Sequence, residues 1–167
     1  MNPPAIRPEQ AGDHAAIGAV ITAAFAGAPH SDGTEAALVE RLRGDDDLTV
    51  SLVAQDSDGT IIGHVAFSPV TIADGTPGWY GLGPVSVAPA WQGKGIGTAL
   101  IREGFARLGE RAAQGCVVLG DPGYYGRFGF THDPRLAYPG PPPAYFQRVV
   151  LQGPTPTGDV RYAPAFG

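Results

Sequence analysis

The 167-residue sequence predicts a mixed α/β fold in a single domain covering residues 1–167. Apolar runs with the alternation or length of strands are interspersed with segments in which apolar residues recur at helical spacing. The chain is also long enough to bury a sizeable core. Finally, a glycine-rich loop lies between a predicted strand and a predicted helix. These observations favour a sheet flanked by helices.

Two helices are predicted near the start of the chain, after a short strand over 5–7. The first runs to about Phe25, with Asp13 as its expected N-cap and apolar residues on one face. The second is capped by Asp32 or Thr34 and stops at Gly44.

Three strands are predicted next, over 48–55, 60–70 and 79–87. An Asp-Ser-Asp-Gly turn joins the first two into a hairpin. In the third, Pro84 must lie at a bulge or an unpaired position, because proline has no N–H for a sheet ladder.

The most informative stretch begins where the third of these strands ends, at Pro89. A glycine-rich segment follows, and it leads into an apolar helical pattern over 97–113. Unpaired N–H groups and the helix dipole make such a place suitable for binding an anion. The segment has neither the G-x-x-x-x-G-K-[ST] pattern of a P-loop nor the G-x-G-x-x-G dinucleotide pattern. Its residues are Gln92, Gly93, Lys94, Gly95, Ile96 and Gly97.

The second half of the chain continues with alternating elements. Gly104 and Gly109 each lower the stability of the 97–113 helix relative to alanine, so close backbone packing is expected at both positions. Asp121 is the expected N-cap of a short helix that begins at Pro122. Further strands are predicted over 116–120, 130–132, 145–151 and 160–162.

Composition argues against several classes of partner. The net charge of −5 disfavours a nucleic acid bound through a broad basic face. The only cysteine, Cys116, excludes an intrachain disulfide and indicates a reducing compartment, which suggests a cytoplasmic protein. No His/Cys cluster suggests a metal. No signal-peptide pattern is found, and no apolar run is long enough to span a membrane.

The loop and its flanks resemble the coenzyme A pyrophosphate loop of the GNAT acetyltransferase superfamily. The pattern Gln-x-x-Gly-x-Gly is met at 92, 95 and 97, after a V-x-V-x-P segment that begins at Val85. The resemblance implies a central, twisted mixed sheet of about six to seven strands with helices on both faces. It also implies that acetyl-CoA is the co-substrate, that residues 92–97 hold its pyrophosphate, and that Val85 and Val87 pair with its acetyl-pantetheine arm as an added strand would. A backbone N–H near Val85 could then polarise the thioester carbonyl.

A second matching segment, GDPGYYGRFGF at 120–130, resembles a branch of small, mostly uncharacterised predicted acetyltransferases. In the family a tyrosine precedes a Gly-Phe pair by four residues, and Tyr125 holds that position. By this resemblance Tyr125 is the general acid that protonates the departing thiolate, with its neighbour Tyr124 as the alternative. Both tyrosines could instead be core aromatics.

The general base is not evident from the sequence. Many GNAT relatives carry a glutamate on the strand before the loop, but residues 79–84 contain no carboxylate. Glu35, His30 and His64 border the expected acceptor side, and each also has an ordinary structural interpretation. A chain of water molecules is a further alternative. Segment 30–35 is expected to line the amine pocket, and Cys116 is interpreted as an inert buried thiol.

The function predicted from the sequence is acetyl transfer from acetyl-CoA to a primary amine of a small molecule, by direct attack on the thioester. One alternative takes a protein or peptide amine as the acceptor. Another is an acyl-CoA-binding module without turnover, which the missing strand carboxylate keeps open. Dimers are common in the family, although nothing in the sequence fixes the oligomeric state.

Overall fold

The computed structural model describes residues 3–29 and 31–167, so the candidate base His30 lies outside the described residues. The strands and helices follow one another in an order close to the predicted one. The strands are β1 (Ala5–Pro8), β2 (Val50–Gln55), β3 (Ile61–Pro69), β4 (Thr71–Ile72), β5 (Trp79–Val87), β6 (Gly115–Leu119), β7 (Leu136–Ala137), β8 (Phe146–Val150) and β9 (Gly158–Arg161). The helices are α1 (His14–Phe25), α2 (Glu35–Gly44), α3 (Ile96–Glu110) and α4 (Pro122–Tyr125).

Six strands form the main sheet, in the order β1-β2-β3-β5-β6-β8. The pairing of β5 with β6 is parallel and the other pairings in this sheet are antiparallel. A smaller sheet has the order β4-β9-β7. The main sheet is therefore mixed, as predicted.

Helices cover both faces of the main sheet. On one face, α3 packs over Val65 and Phe67 of β3. On the opposite face, α1 packs over Val53 of β2 and Ala66 of β3. Adjacent residues of β3 thus point to opposite faces, as the two-residue period of a strand requires.

The strand β5 contains the expected bulge at Pro84. Val65 of β3 pairs with Val85, whereas Phe67 pairs with Leu82, so the register shifts across Gly83 and Pro84. A bulge inserts an extra residue into one strand, and that strand bends at this point. The bend lies in the part of β5 that leaves its neighbour β6.

Several local expectations prove wrong. Residues 130–132 do not form a strand, and only one isolated bridge, between Thr131 and Arg148, occurs there. Asp13 is the N-cap residue of α1, as predicted, but its side chain makes no capping hydrogen bond; its carboxylate instead accepts hydrogen bonds from Arg7 and from the N–H of Gln10. The Asp13 carboxylate bonds to Arg7 rather than to a backbone N–H of α1, because a hydrogen bond between two ionised groups is stronger than one to a neutral N–H.

The two glycines of α3 also differ from each other. A Cβ at Gly104 would stand 2.2 Å from a ring carbon of Phe67, which confirms the close packing expected there. A Cβ at Gly109 would meet nothing within 4 Å, so the same expectation is wrong for Gly109. None of the helices in the described part of the chain is long and apolar enough to cross a membrane.

Candidate active site

The parallel strands β5 and β6 form a fork. They pair at Trp79–Gly115, Tyr80–Cys116 and Gly81–Val117, and beyond Gly81 they have no further pairs with each other. Up to its end at Val87, β5 remains paired only with β3 on its other side. The upper part of β5 therefore offers the edge that faces β6 to an extended ligand, which is the requirement for pairing by strand addition.

The predicted glycine loop lies at the open end of this fork. Gly93 and Gly95 have φ angles of 77° and 84°, in the left-handed region that glycine adopts without strain. Gly95 is the N-cap residue of α3. The side-chain amide of Gln92 donates to the carbonyl of Val87 at 3.0 Å and so ties the loop to the end of β5. The loop thus directs the N-terminus of a 15-residue helix into the fork.

A cavity of about 280 Å³ opens at this loop. Of the residues predicted to bind the cofactor, Val85 and Lys94 do not line it; Val85 lies further down β5, and the ammonium of Lys94 lies 5.3 Å from the centre of the Trp91 ring. The sequence does not assign three of the lining residues, Trp91, Thr98 and Arg127, to the site, and it offers Tyr124 only as the alternative acid. The lining residues are Val87, Trp91, Gln92, Gly93, Gly95, Ile96, Gly97, Thr98, Tyr124 and Arg127.

Helix α4 brings its two adjacent tyrosines to different places. The side chain of Asp121 accepts from the N–H of Gly123 at 2.9 Å, which confirms the predicted N-cap. The hydroxyl of Tyr124 would stand 3.2 Å from a Cβ on Gly97, so Tyr124 reaches across to the start of α3. The ring of Tyr125 instead covers Gly120, just after β6, where a Cβ would stand 2.4 Å from it. Successive helical residues project about 100° apart, which explains the divergence.

Tyr125 is half-buried within an aromatic cluster formed with Tyr124, Phe128 and Phe130. Burial, together with the neighbouring Tyr124 and Cys116, raises the pKa of Tyr125 to about 12, since a phenolate would lose its hydration there. The phenol therefore carries its proton at neutral pH and can donate it.

Arg127 adds a fixed positive charge to the cavity. Its guanidinium carbon lies 4.4 Å from the centre of the Tyr124 ring, and its Nε donates to the carbonyl of Tyr124 at 2.9 Å. Tyr124 and Arg127 are three residues apart, so they share one side of this helical segment. That three-residue spacing from Tyr124 is the sequence signal that could have placed Arg127 in the site.

His64, a candidate base, is enclosed within the sheet. Its Nε2 lies 2.8 Å from the hydroxyl oxygen of Ser51, which itself donates to Glu9. Because Ser51 gives its proton to Glu9, Nε2 is the nitrogen of His64 that donates. Burial lowers the pKa of His64 to about 4, and the side chain is fully buried. These contacts support the interpretation of His64 as a hydrogen-bonded sheet residue.

Glu35, at the first position of α2, accepts from the Ser31 hydroxyl with both carboxylate oxygens, at 2.8 and 2.9 Å. Cys116 is fully buried, and burial raises the pKa of its thiol, so it has the properties expected of an inert cysteine. Within the described residues, no group of three or more His, Cys, Asp or Glu side chains could hold a metal ion.

Comparison with known proteins identifies a family. The model of the family described as "Acetyltransferase (GNAT) family" matches residues 12–130. A relative from Escherichia coli K12, named uncharacterized N-acetyltransferase YhbS, is 43% identical over 115 residues, which make up 66% of this chain and 69% of that protein.

Two solved structures extend the similarity to nearly the whole chain. A GNAT family acetyltransferase from Brucella melitensis, in complex with acetyl-CoA, is 49% identical, with a TM-score of 0.87 over 98% of this chain and 97% of that one. YhbS from E. coli, in complex with CoA, is 35% identical, with a TM-score of 0.91 over 99% of this chain and 93% of that one.

Proposed function

Because this chain belongs to the GNAT acetyltransferase family, we propose that it transfers the acetyl group of acetyl-CoA to the primary amine of a small molecule. The chain is an N-acetyltransferase, and acetyl-CoA is its acetyl donor. The observation that carries the proposal is the cavity at the glycine loop, which lies at the end of β5, beyond the last pair between β5 and β6.

The residues of this cavity fit a phosphorylated thioester. Gly93 and Gly95 adopt positive φ angles, and their lack of side chains lets a phosphate approach the N–H groups at the start of α3. Arg127 contributes a cation at the same cavity, and a guanidinium forms strong, paired hydrogen bonds with phosphate. The free edge of β5 from Val85 to Val87 suits an extended, amide-containing arm.

The reaction moves one acetyl group and one proton. Bound acetyl-CoA supplies a thioester, which is an activated acyl group. The neutral amine forms a bond from its nitrogen to the carbonyl carbon, the carbon–sulfur bond breaks, the amine gives a proton to water, and the thiolate gains one. A backbone N–H of β5 near Val85 stabilises the developing oxyanion, an effect typically worth ~3 kcal/mol.

Tyr125 is the proposed donor of the proton that the thiolate gains. Its raised pKa keeps the proton in place until the thiolate forms. A thiol in the same poorly hydrated place has a raised pKa as well, because burial disfavours the thiolate just as it disfavours the phenolate. The two pKa values therefore shift in the same direction, and burial alone does not prevent the transfer.

Thiol release from acetyl-CoA, measured across a panel of small amines, amino acids and peptides, tests the proposed function. We expect release with small amines and no release with water alone. Efficient release with peptides but not with any small amine would contradict the small-molecule assignment. Failure of acetyl-CoA to bind in a calorimetric titration would contradict the role proposed for the loop.

A further inference from the structure

Tyr124 connects two parts of the wall of the cavity at the glycine loop. Its hydroxyl oxygen lies 3.2 Å from the position that a Cβ on Gly97 would take, at the second residue of α3. The face of its ring is covered by the guanidinium of Arg127, whose central carbon lies 4.4 Å from the ring centre. All three residues line the cavity. A single aromatic ring therefore links the guanidinium to the start of α3.

Two contacts fix the guanidinium of Arg127. One is its stacking on the Tyr124 ring, and the other is the hydrogen bond of 2.9 Å from its Nε to the carbonyl of Tyr124. Within the described residues, its terminal nitrogens Nη1 and Nη2 form no hydrogen bond and no ion pair. The planar fork of N–H donors on a guanidinium matches the oxygens of a phosphate. Arg127 thus has its phosphate-binding nitrogens free at the cavity.

The ring of Tyr124 is itself held in place by other aromatic rings. Those of Tyr125 and Phe128 pack against it, with ring centres 5.0 and 5.6 Å away. Tyr124 is half-buried, whereas Arg127 is exposed. An exposed arginine normally samples many side-chain conformations and loses that freedom when it binds a ligand. Because a packed ring restricts Arg127 beforehand, less freedom is lost on binding and the affinity is higher.

The charge at the cavity also depends on Arg127, which is the one charged side chain among the described lining residues. The net charge of −5 opposes the approach of a coenzyme with negative phosphates. The N–H groups at the start of α3 carry only partial positive charge. The ammonium of Lys94 lies over the Trp91 ring, and Lys94 does not line the cavity. A full positive charge inside the cavity therefore comes from Arg127.

We propose that Tyr124 is a positioning residue, which holds the guanidinium of Arg127 against a phosphate group of coenzyme A. The terminal nitrogens donate to two oxygens of one phosphate. The Tyr124–Arg127 pair thereby makes the enzyme select a phosphorylated donor over a thioester of pantetheine, which has the same extended arm but no phosphate. Tyr124 thus acts on donor binding and not as the acid. This assignment rests on the proposed function, because it requires the coenzyme to bind at the glycine loop.

Calorimetric titrations with coenzyme A, 3′-dephospho-coenzyme A and pantetheine test the role of Arg127. Arg127→Gln should bind coenzyme A at least tenfold more weakly than the wild type does, and pantetheine equally well. Arg127→Lys should recover only part of the loss, since an ammonium cannot form the paired hydrogen bonds. With 3′-dephospho-coenzyme A, the effect of Arg127→Gln disappears if the guanidinium holds the 3′-phosphate and persists if it holds the pyrophosphate. Either result supports the proposal.

The positioning role of Tyr124 is tested by a double-mutant cycle. Tyr124→Leu removes the ring and should weaken coenzyme A binding about fivefold, whereas Tyr124→Phe keeps the ring and should retain the affinity. In the Arg127→Gln background, Tyr124→Leu should cause no further loss, because the guanidinium that the ring positions is gone. If the two losses are instead independent and add, Tyr124 does not act through Arg127.

Arg102→Gln is the matched control variant. Arg102 is also an exposed arginine over an aromatic ring, with its guanidinium carbon 5.4 Å from the centre of the Phe128 ring, but it does not line the cavity. Its replacement should leave the affinity for coenzyme A at the wild-type value. Equal losses in Arg102→Gln and Arg127→Gln, or a loss in Arg127→Gln that is as large for pantetheine as for coenzyme A, would overturn the assignment. Failure of the wild type to bind coenzyme A would instead overturn the proposed function.

Discussion

The ring of Phe67 lies directly on the backbone of Gly104, where a Cβ would stand 2.2 Å from the ring carbon Cε1. Phe67 is fully buried in the second half of β3, and Gly104 lies near the middle of α3. Through this contact α3 approaches the sheet closely. The same helix carries the glycine loop at its N-terminus, so the contact fixes the height of the loop above the fork.

Gly104→Ala should destabilise the fold by about 1–3 kcal/mol, because the added methyl group overpacks a rigid aromatic contact. Gly109→Ala is the matched control on the same helix, since nothing lies within 4 Å of its Cβ position. It should stabilise the protein by up to about 1 kcal/mol, the difference in helix propensity. Urea denaturation of both variants measures these changes. Equal effects at the two positions would show that the contact with Phe67 relaxes freely.

Gly95→Asp and Gly97→Asp should abolish binding of acetyl-CoA. Each adds a carboxylate beside the N–H groups that would receive the pyrophosphate, and Gly95 in addition has a φ angle of 84° that disfavours a side chain. At an acetyl-CoA concentration of a hundred times Kd, the wild type should gain roughly 2.7 kcal/mol of stability, and the variants should gain none. Thermal shift with acetyl-CoA measures the difference.

Gly109→Asp places the same charge at the far end of α3 and should retain the full shift. Gly95→Ala separates backbone strain from charge, and it should lose less affinity than Gly95→Asp. If acetyl-CoA raises the melting temperatures of Gly95→Asp and Gly97→Asp as much as that of the wild type, the loop does not bind the coenzyme. The same conclusion follows if NAD or ATP raises the melting temperature of the wild type as much as acetyl-CoA does.

Tyr125→Phe should lower kcat by ~10²-fold, because it removes the proton donor while keeping the ring that packs on Gly120. The melting temperature and the affinity for acetyl-CoA should stay close to wild type. Tyr124→Phe is the natural control, since Tyr124 reaches Gly97 rather than Gly120. An active Tyr125→Phe with an inactive Tyr124→Phe would reverse the assignment, and two active variants would mean that no tyrosine acts as the acid.

The free energy of unfolding should fall by about 3 kcal/mol between pH 7 and pH 4 on account of His64 alone. Its pKa is about 4 in the fold and 6.5 as the reference value, so in this range the unfolded chain takes up the proton more readily. The contribution of His64 to the free energy of unfolding is thus fully present above pH 6.5 and is lost as the pH falls toward 4.

Urea denaturation as a function of pH, for wild type and His64→Gln, isolates the contribution of His64. The wild-type curve should fall more steeply than the variant curve between pH 6.5 and pH 4. Carboxylates with lowered pKa values that have no contact with His64, such as Asp13 and Asp133, contribute to both curves and cancel in the difference. Parallel curves would show that His64 is not enclosed in the folded state.

Local sequence predicted the features whose causes are local. The cap at Asp121 and the bulge at Pro84 each follow from the chemistry of a few adjacent residues, and the structure confirms both. The glycine loop between β5 and α3 was predicted for the same reason, since the glycines in its own sequence permit its left-handed backbone angles. The roles of Tyr125 and of the loop in catalysis and binding stay predictions.

What the sequence by itself determined is therefore the order of the main elements, the family resemblance and the loop that faces the fork. Tertiary structure alone decided that Tyr124 rather than Tyr125 lines the loop cavity, and that Gly104 rather than Gly109 contacts the sheet. It also decided the pairing of the two-residue strand β4 with β9, in which Thr71 pairs with Arg161 and Ile72 with Val160. The physical reason is the same in each case: the deciding contact is made with a residue far along the chain, and no local pattern encodes it.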